Sequence, residues 1–81
     1  MTRDEIVSTV NKVLVEEFEL EPDQLREDAN LFQDLELDSL DAVDLIVALE
    51  HAFGGRVPEE EAKKVQCVGD VYSLIESNIA P

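Results

Sequence analysis

The sequence predicts an all-α fold of four helices, with a long first loop and a short third helix. Residues 3–18 and 39–53 both repeat apolar side chains at the three-to-four spacing of an amphipathic helix. Glycine and proline separate the later segments, and no useful stretch alternates as a half-buried strand does. A chain of 81 residues has room for one core, so residues 1–81 are predicted to form a single domain.

The first helix is predicted over residues 3–18. The apolar residues on its inner face are Ile6, Val10, Val13, Leu14 and Phe18. Thr2 and Glu5 have the spacing of a capping box, in which each side chain accepts a backbone hydrogen bond at the helix start. This spacing predicts a helix that begins immediately after Thr2.

A long loop is expected over residues 19–38, which contain Pro22 and no sustained periodicity. Its apolar residues are Leu20, Leu25, Leu31, Phe32, Leu35 and Leu37. Such repeated anchors predict a loop that packs over the core, since a disordered segment lacks them.

Three further helices are predicted after this loop. The second runs from Ser39 to Phe53 and ends at Gly54-Gly55, where glycine tolerates the left-handed cap conformation. The third covers about two turns over residues 59–65, with acids at its start and lysines at its end. The fourth runs from Gly69 to Ile79, before Pro81. Its apolar stripe comprises Val71, Leu74, Ile75 and Ile79.

The charge of the chain restricts its partners. A formal net charge of −14 argues against nucleic acid and anionic membranes, and it favours basic protein partners. The lone Cys67 allows neither an internal disulfide nor a structural zinc site, which fits a reducing compartment. With no apolar run long enough to span a bilayer and no secretory leader pattern, we expect a cytoplasmic monomer.

The second helix carries two apolar stripes. One comprises Ala42, Leu45, Ile46, Leu49 and Phe53, and the other comprises Leu40, Val43 and Val47 beside the acids Asp41, Asp44 and Glu50. If the first stripe faces the core, the second is an acid-edged docking surface for a partner with a basic rim. The alternative is a central helix buried on both sides, although acids rarely lie so close to a buried stripe.

Ser39 lies at the start of the second helix and has two interpretations. It can simply cap the helix, or its exposed hydroxyl can carry a phosphate ester where the helix dipole favours negative charge. Both hold if Asp38 provides the cap. A Ser-His hydrolase is excluded, because His51 lies twelve residues further along the same helix, roughly 18 Å away at the rise of an α-helix.

No catalytic or metal-binding constellation is predicted. The acids lie on solvated faces, whereas paired-carboxylate catalysis needs two acids across a cleft. Asp34, Glu36 and Asp38 have the spacing that opens a calcium loop, but the required glycine and terminal glutamate are replaced by Ser39 and Leu45. We therefore predict no metal site beyond weak, nonspecific binding of divalent cations to these acids.

Residues 34–41, Asp-Leu-Glu-Leu-Asp-Ser-Leu-Asp, resemble the attachment segment of the acyl carrier protein family. The resemblance extends from about Ile6 to Ile79. Further matches are Leu45 to Leu49, Glu50, Phe53-Gly54, Val57-Pro58, Glu60, Glu61, Ala62, Val68 and Asp70. A lone Asp-Ser-Leu is weak evidence, but the match over this span, with the size, acidity and helical layout, is specific.

The resemblance implies a carrier and not an enzyme. Ser39 matches the serine to which a phosphopantetheinyl transferase attaches 4′-phosphopantetheine from coenzyme A, through a phosphodiester. The implied partners are this transferase and acyl-transferring and chain-elongating enzymes with basic docking patches. The implied recognition surface is Asp38, Leu40, Asp41, Val43, Asp44, Val47 and Glu50.

An acyl pocket inside the helices is also implied. Its expected lining is Leu45, Ile46 and Leu49, from their stripe, and Phe32, Ala62 and Val65, by family analogy. These residues would equally serve as ordinary core. The implied function is an acyl carrier for fatty acid or related acyl-chain biosynthesis. The alternatives are a specialised carrier for a polyketide, aminoacyl or lipid-modification pathway, and an acidic adaptor without a prosthetic group.

Several residues depart from the family pattern, among them His51, which stands where an acid is common. Gly55 and Arg56 replace an isoleucine and acid after Gly54, which affects the far end of the pocket. Lys63 stands where an acid is common and weakens the negative patch there. Cys67 replaces a capping threonine or serine, so the cap of the last helix is expected to be weak or lost.

Overall fold

The computed structural model describes residues 2–79, and within them it contains four α-helices. These are α1 (Arg3–Phe18), α2 (Ser39–Phe53), α3 (Glu59–Ala62) and α4 (Val68–Asn78). The predicted fold class, with its long first loop and short third helix, is confirmed. The loop also contains one 3-10 turn, Pro22–Gln24, which was not predicted from the sequence. Pro81, expected after the last helix, lies outside the described residues.

The start of α1 has the predicted capping box. The Thr2 hydroxyl accepts the Glu5 N–H at 3.2 Å, and the Glu5 carboxylate accepts the Thr2 N–H at 3.1 Å. The Thr2 N–H and, next, the Thr2 hydroxyl donate to the Glu5 carboxylate, and these two hydrogen bonds lower the pKa of Glu5 below its ordinary value. The helix ends at Phe18, and Glu19 caps it with a left-handed φ of 55°.

The core lies where α1 packs against α2 and α4. Its fully buried helical side chains are Ile6, Val10 and Leu14 from α1, Leu45 and Leu49 from α2, and Val68, Val71 and Ile75 from α4. The predicted inner faces are therefore confirmed. Val13, Phe18 and Ile79 are only partly buried against this core. Tyr72 and Val68 also belong to the core, although the sequence analysis did not place them there.

Most of the apolar anchors in the loop between α1 and α2 reach this core. Leu25, Leu31, Leu35 and Leu37 are buried. Leu20 is half-buried, and Phe32 remains 41% exposed, so Phe32 is not the buried anchor that was expected. The loop packs over the core as predicted, and the exposed ring of Phe32 is available to line a site.

Backbone hydrogen bonds fasten this loop to the segment before α4. The Leu31 N–H donates to the Gln66 carbonyl at 2.8 Å, and the Gly69 N–H donates to the Glu27 carbonyl at 2.8 Å. Between these two hydrogen bonds, the Val68 N–H donates to the Ala29 carbonyl at 3.0 Å. A larger residue than Gly69 would be crowded here, since a Cβ would lie 2.7 Å from the Glu27 Cγ and 3.0 Å from the Glu27 carbonyl oxygen.

The third helix is shorter than predicted. It forms a single turn, Glu59–Ala62, where about two turns over residues 59–65 were expected. After it the chain tightens, because Lys64 and Val65 donate to the carbonyls three residues before them. This turn buries Val65 and directs the next carbonyl, of Gln66, toward the loop. A longer helix would keep the Val65 side chain from the core and the Gln66 carbonyl from the Leu31 N–H.

Asp70 provides the cap that Cys67 was expected to lack. Cys67 is the N-cap residue of α4, and the Asp70 carboxylate accepts the N–H groups of Gln66 at 3.0 Å and Cys67 at 3.2 Å. The hydrogen bond from Gln66, with smaller contributions from Cys67, lowers the pKa of Asp70 despite slight desolvation. The replacement at Cys67 thus leaves the helix start with a carboxylate cap.

Arg3 connects α1 to the loop and to α4. Its guanidinium nitrogens lie 3.3 Å from a Glu27 oxygen and 3.4 Å from a Glu76 oxygen. The same group lies 5.6 Å from the centre of the Tyr72 ring, within range of a cation–π interaction. The Tyr72 hydroxyl donates to Asn11, and burial is the main reason that the pKa of Tyr72 is raised.

Candidate functional site

Ser39 is exposed at the first residue of α2, and it does not serve as the cap. Asp38 is the N-cap, and its carboxylate accepts the Asp41 N–H at 2.8 Å. The Asp41 carboxylate accepts the Asp38 N–H in return, at 3.2 Å. A reciprocal Asp-Asp capping box therefore performs the capping role that was one interpretation of Ser39. The serine hydroxyl is left at the positive end of the helix dipole.

The second apolar stripe of α2 faces solvent. Leu40 is 75% exposed, Val43 60% and Val47 46%, whereas Leu45 and Leu49 on the opposite stripe are fully buried. The alternative of a central helix buried on both sides is therefore wrong. These three side chains form an exposed apolar row beside the acids of α2, which we call the α2 face.

The acids beside this face differ in their freedom. Asp44 is exposed, while Asp38 and Asp41 hold each other's backbone in the capping box. Glu50 is only half-exposed, and its carboxylate accepts the Val57 N–H at 2.8 Å. Glu50 was predicted only as a docking residue, and nothing in its helical spacing indicates a bond to a loop seven residues further along the chain.

A mostly apolar cavity of about 420 Å³ opens beside Ser39. It lies between α2, α3 and the long loop. Its lining comprises Leu31, Phe32, Ser39, Ala42, Val43, Leu45, Ile46, Val47, Glu50, Val57, Glu59, Ala62, Lys63 and Val65. The volume falls within the range of pockets that hold small organic ligands, about 300–1,000 Å³. Ser39 thus lies where a group attached to its hydroxyl can reach apolar shelter.

The structure brings together most of the residues expected to line a pocket. Phe32, Leu45, Ile46, Ala62 and Val65 all lie on the cavity wall. Leu49 does not line this cavity, because its side chain is fully buried in the core.

Two buried wall residues, Leu31 and Val57, were missed. Neither lies on a predicted helix, so periodicity had no means of assigning them a side. Lys63 also lines the cavity, and its ammonium lies 3.7 Å from the Glu59 carboxylate. The departures from the family pattern therefore include one charged residue at the cavity wall.

Comparisons with known proteins agree with this geometry. The family described as "Phosphopantetheine attachment site" matches residues 8–75. An acyl carrier protein of Wolinella succinogenes is 41% identical over 73 residues, covering 90% of this chain and 96% of that one. Acyl carrier protein 2 of Ralstonia nicotianae is 40% identical over 80 residues, covering 99% of both chains. The chain belongs to the acyl carrier protein family.

Membership in this family settles the class of the molecule. It is a non-catalytic acyl carrier protein that bears phosphopantetheine. An acyl carrier protein of Lactobacillus acidophilus, 37% identical over 78 residues, covers 96% of this chain. In this carrier the exposed Ser39 hydroxyl at the start of α2 borders the apolar cavity.

The acids before α2 have structural roles in this carrier. The Asp34 carboxylate accepts the Asn30 N–H at 2.7 Å, and Asp38 caps α2. Within residues 2–79, no group of three or more His, Cys, Asp or Glu side chains is arranged to hold a metal ion. In the same part of the chain, no helix combines the length and apolar character needed to cross a membrane.

Proposed function

We propose that Ser39 is the attachment point of the 4′-phosphopantetheine arm. The observation that carries this proposal is the division of roles at the start of α2, where Asp38 caps the helix and the neighbouring hydroxyl is exposed beside the cavity. A phosphodiester at this position gains from the helix dipole, because the first N–H groups of a helix favour an anion.

The chain's own residues position the arm and shelter its cargo. When attached, the arm supplies a thiol that holds acyl groups as thioesters. Asp38 and Asp41 fix the first turn of α2 and so fix the backbone position from which the Ser39 side chain projects. The apolar wall formed by Leu45, Ile46 and neighbouring side chains excludes water from an acyl chain placed in the cavity.

The α2 face is the docking surface in this proposal. Its exposed apolar row, Leu40, Val43 and Val47, would enter a hydrophobic groove, and Asp44 would approach a basic rim. Proteins that fit this chemistry are a phosphopantetheinyl transferase and acyl-transferring and chain-elongating enzymes with basic patches. The net charge of −14 supports brief, salt-sensitive encounters with them.

Fatty acid biosynthesis or a related acyl-chain pathway is the process we propose. The relatives described above are all named acyl carrier proteins, which supports this choice. A specialised pathway is the second candidate, because Lys63 places a cation on the cavity wall. Loading with different acyl and aminoacyl donors distinguishes the two. Residues 1–81 would act as one monomeric domain in the cytoplasm, where coenzyme A supplies the arm.

The decisive experiment is intact mass before and after incubation with coenzyme A and a broad-specificity phosphopantetheinyl transferase. The wild-type chain should gain the mass of one arm, and Ser39→Ala should gain none. Ser8→Ala, which removes an exposed hydroxyl on α1, is the matched control and should load like the wild type. A folded, unmodified wild-type chain that gains no mass would favour the adaptor without a prosthetic group.

A further inference from the structure

Glu50 accepts three hydrogen bonds from the loop between α2 and α3. Its backbone carbonyl accepts the N–H groups of Gly54 at 2.8 Å and Gly55 at 3.2 Å. Its carboxylate accepts the Val57 N–H at 2.8 Å in a partly buried hydrogen bond. One residue therefore binds three of the four amides between the end of α2 and Pro58.

This loop forms one wall of the cavity. Val57 is buried and lines the cavity, as does Glu50 itself. Gly55 packs so closely against Ile79 that a Cβ on it would lie 2.8 Å from an Ile79 methyl group. The beginning of the loop is thus fixed by packing and by the Glu50 carbonyl. The Val57 end depends on the Glu50 carboxylate.

The same carboxylate lies next to the α2 face. Val47, one turn earlier on α2, is exposed and also lines the cavity. A cation at the edge of a docked protein is therefore able to approach Glu50 and compete with the Val57 N–H for its oxygens. A cationic side chain binds a carboxylate more strongly than a neutral amide N–H does.

We propose that Glu50 is a positioning residue whose carboxylate holds the Val57 wall of the cavity closed, and that a cationic side chain on a docked partner opens this wall by pairing with the carboxylate. The proposal rests on the proposed function for the identity of the cargo. It makes the release of cargo depend on a charge contact at one residue of the α2 face.

Amide hydrogen exchange at Val57 tests the closed wall directly, on the protein without its arm. Removing the acceptor in Glu50→Ala should raise the Val57 exchange rate about tenfold, the effect of losing one hydrogen bond. Glu50→Gln keeps an acceptor oxygen and should exchange within about twofold of the wild type. Glu17→Gln, which removes an exposed carboxylate from α1, should leave Val57 exchange unchanged.

The role of charge is tested with a hexa-arginine peptide at low salt. The peptide should speed Val57 exchange in the wild type by about two- to fivefold, as expected for an exposed charge pair, and should have little effect in Glu50→Gln. After loading with an octanoyl group, Glu50→Ala should also lose its thioester to hydroxylamine faster than Glu50→Gln does.

Three results would overturn the proposal. They are equal Val57 exchange in Glu50→Ala and the wild type, equal acceleration by the peptide in Glu50→Gln and the wild type, and equal thioester loss in the two Glu50 variants. Because the exchange measurements need no arm, a failure of Ser39 to accept phosphopantetheine would refute the proposed function and leave these results interpretable.

Discussion

At the scale of the residue, carboxylate caps stabilise the starts of α2 and α4. Asp38 caps α2 next to Ser39, and Asp70 caps α4. In the segment Cys67-Val-Gly-Asp the cap position itself does not show the second cap, since the acceptor lies at the third helical residue, Asp70. Cys67 therefore costs the helix less than its own side chain suggests.

Asp70→Ala should lower the free energy of unfolding by about 1 kcal/mol at pH 7. Folding lowers the pKa of Asp70 below its ordinary value of 3.8. Its contribution is therefore complete above that pH and is lost as the pH falls through the folded-state pKa. Urea unfolding at pH 7 and in strong acid should show the difference between variant and wild type shrinking in acid.

Asp44→Ala is the matched control for this experiment, because it removes an exposed acid from inside a helix. Its effect should be smaller than that of Asp70→Ala at pH 7. A loss for Asp70→Ala that stays the same at both pH values would show that its carboxylate does not provide the cap.

At the scale of the element, α2 has a buried apolar stripe and an exposed apolar row on opposite sides. Its buried stripe, including Leu45 and Leu49, packs on the core, and the α2 face is left to solvent. Both stripes follow from helical periodicity, which is why the sequence predicts them correctly. Periodicity gives no information about side chains that bond outside their own helix, and so Glu50 was placed on the docking surface without its bond to Val57.

Asp44→Lys should slow transfer of the arm by a phosphopantetheinyl transferase at low salt, by about tenfold, because the reversed charge repels a basic rim. Helicity by circular dichroism should be unchanged, since Asp44 is exposed. The transfer rate is measured by mass spectrometry over time, with Glu16→Lys on α1 as a control with the same change in charge. Equal rates for Asp44→Lys and the wild type would remove this residue from the docking surface.

Segments without periodicity show the limit of the sequence at this scale. The loop before α2 was predicted to pack over the core. Within it, Leu31 is buried and the adjacent Phe32 is exposed, because tertiary contacts decide which side chain faces the core. The single turn of α3 has the same origin, because the Val65 side chain is buried in the core and the Gln66 carbonyl accepts a hydrogen bond from the loop. Charge order along residues 59–65 favours a helix but does not fix its length.

At the scale of the whole molecule, charge opposes compactness. The chain carries 20 acidic and 6 basic side chains. Arg3 bridges two acids from different parts of the fold, Glu27 and Glu76. These pairs are at least partly exposed, so each contributes little by itself. Repulsion among the remaining acids should make the stability of the carrier depend on ionic strength.

Adding salt or magnesium to the carrier at low ionic strength should raise its Tm by about 5 °C, if screening contributes about 1 kcal/mol in a domain of this size. Thermal unfolding followed by circular dichroism measures the shift. A Glu16→Gln, Glu17→Gln variant, with two fewer exposed charges on α1, should show a smaller shift. An unchanged Tm between low salt and added magnesium would contradict the effect.

The backbone bonds that join Leu31 to Gln66 and Glu27 to Gly69 also constrain how the chain folds. Each of these backbone hydrogen bonds joins segments far apart in the sequence, so its formation closes a chain loop that contains the whole of α2. Such closure costs entropy that no local helix contact repays. Refolding followed by stopped-flow fluorescence of Tyr72 should therefore be slower than helix formation, and Gly69→Ala should slow it further.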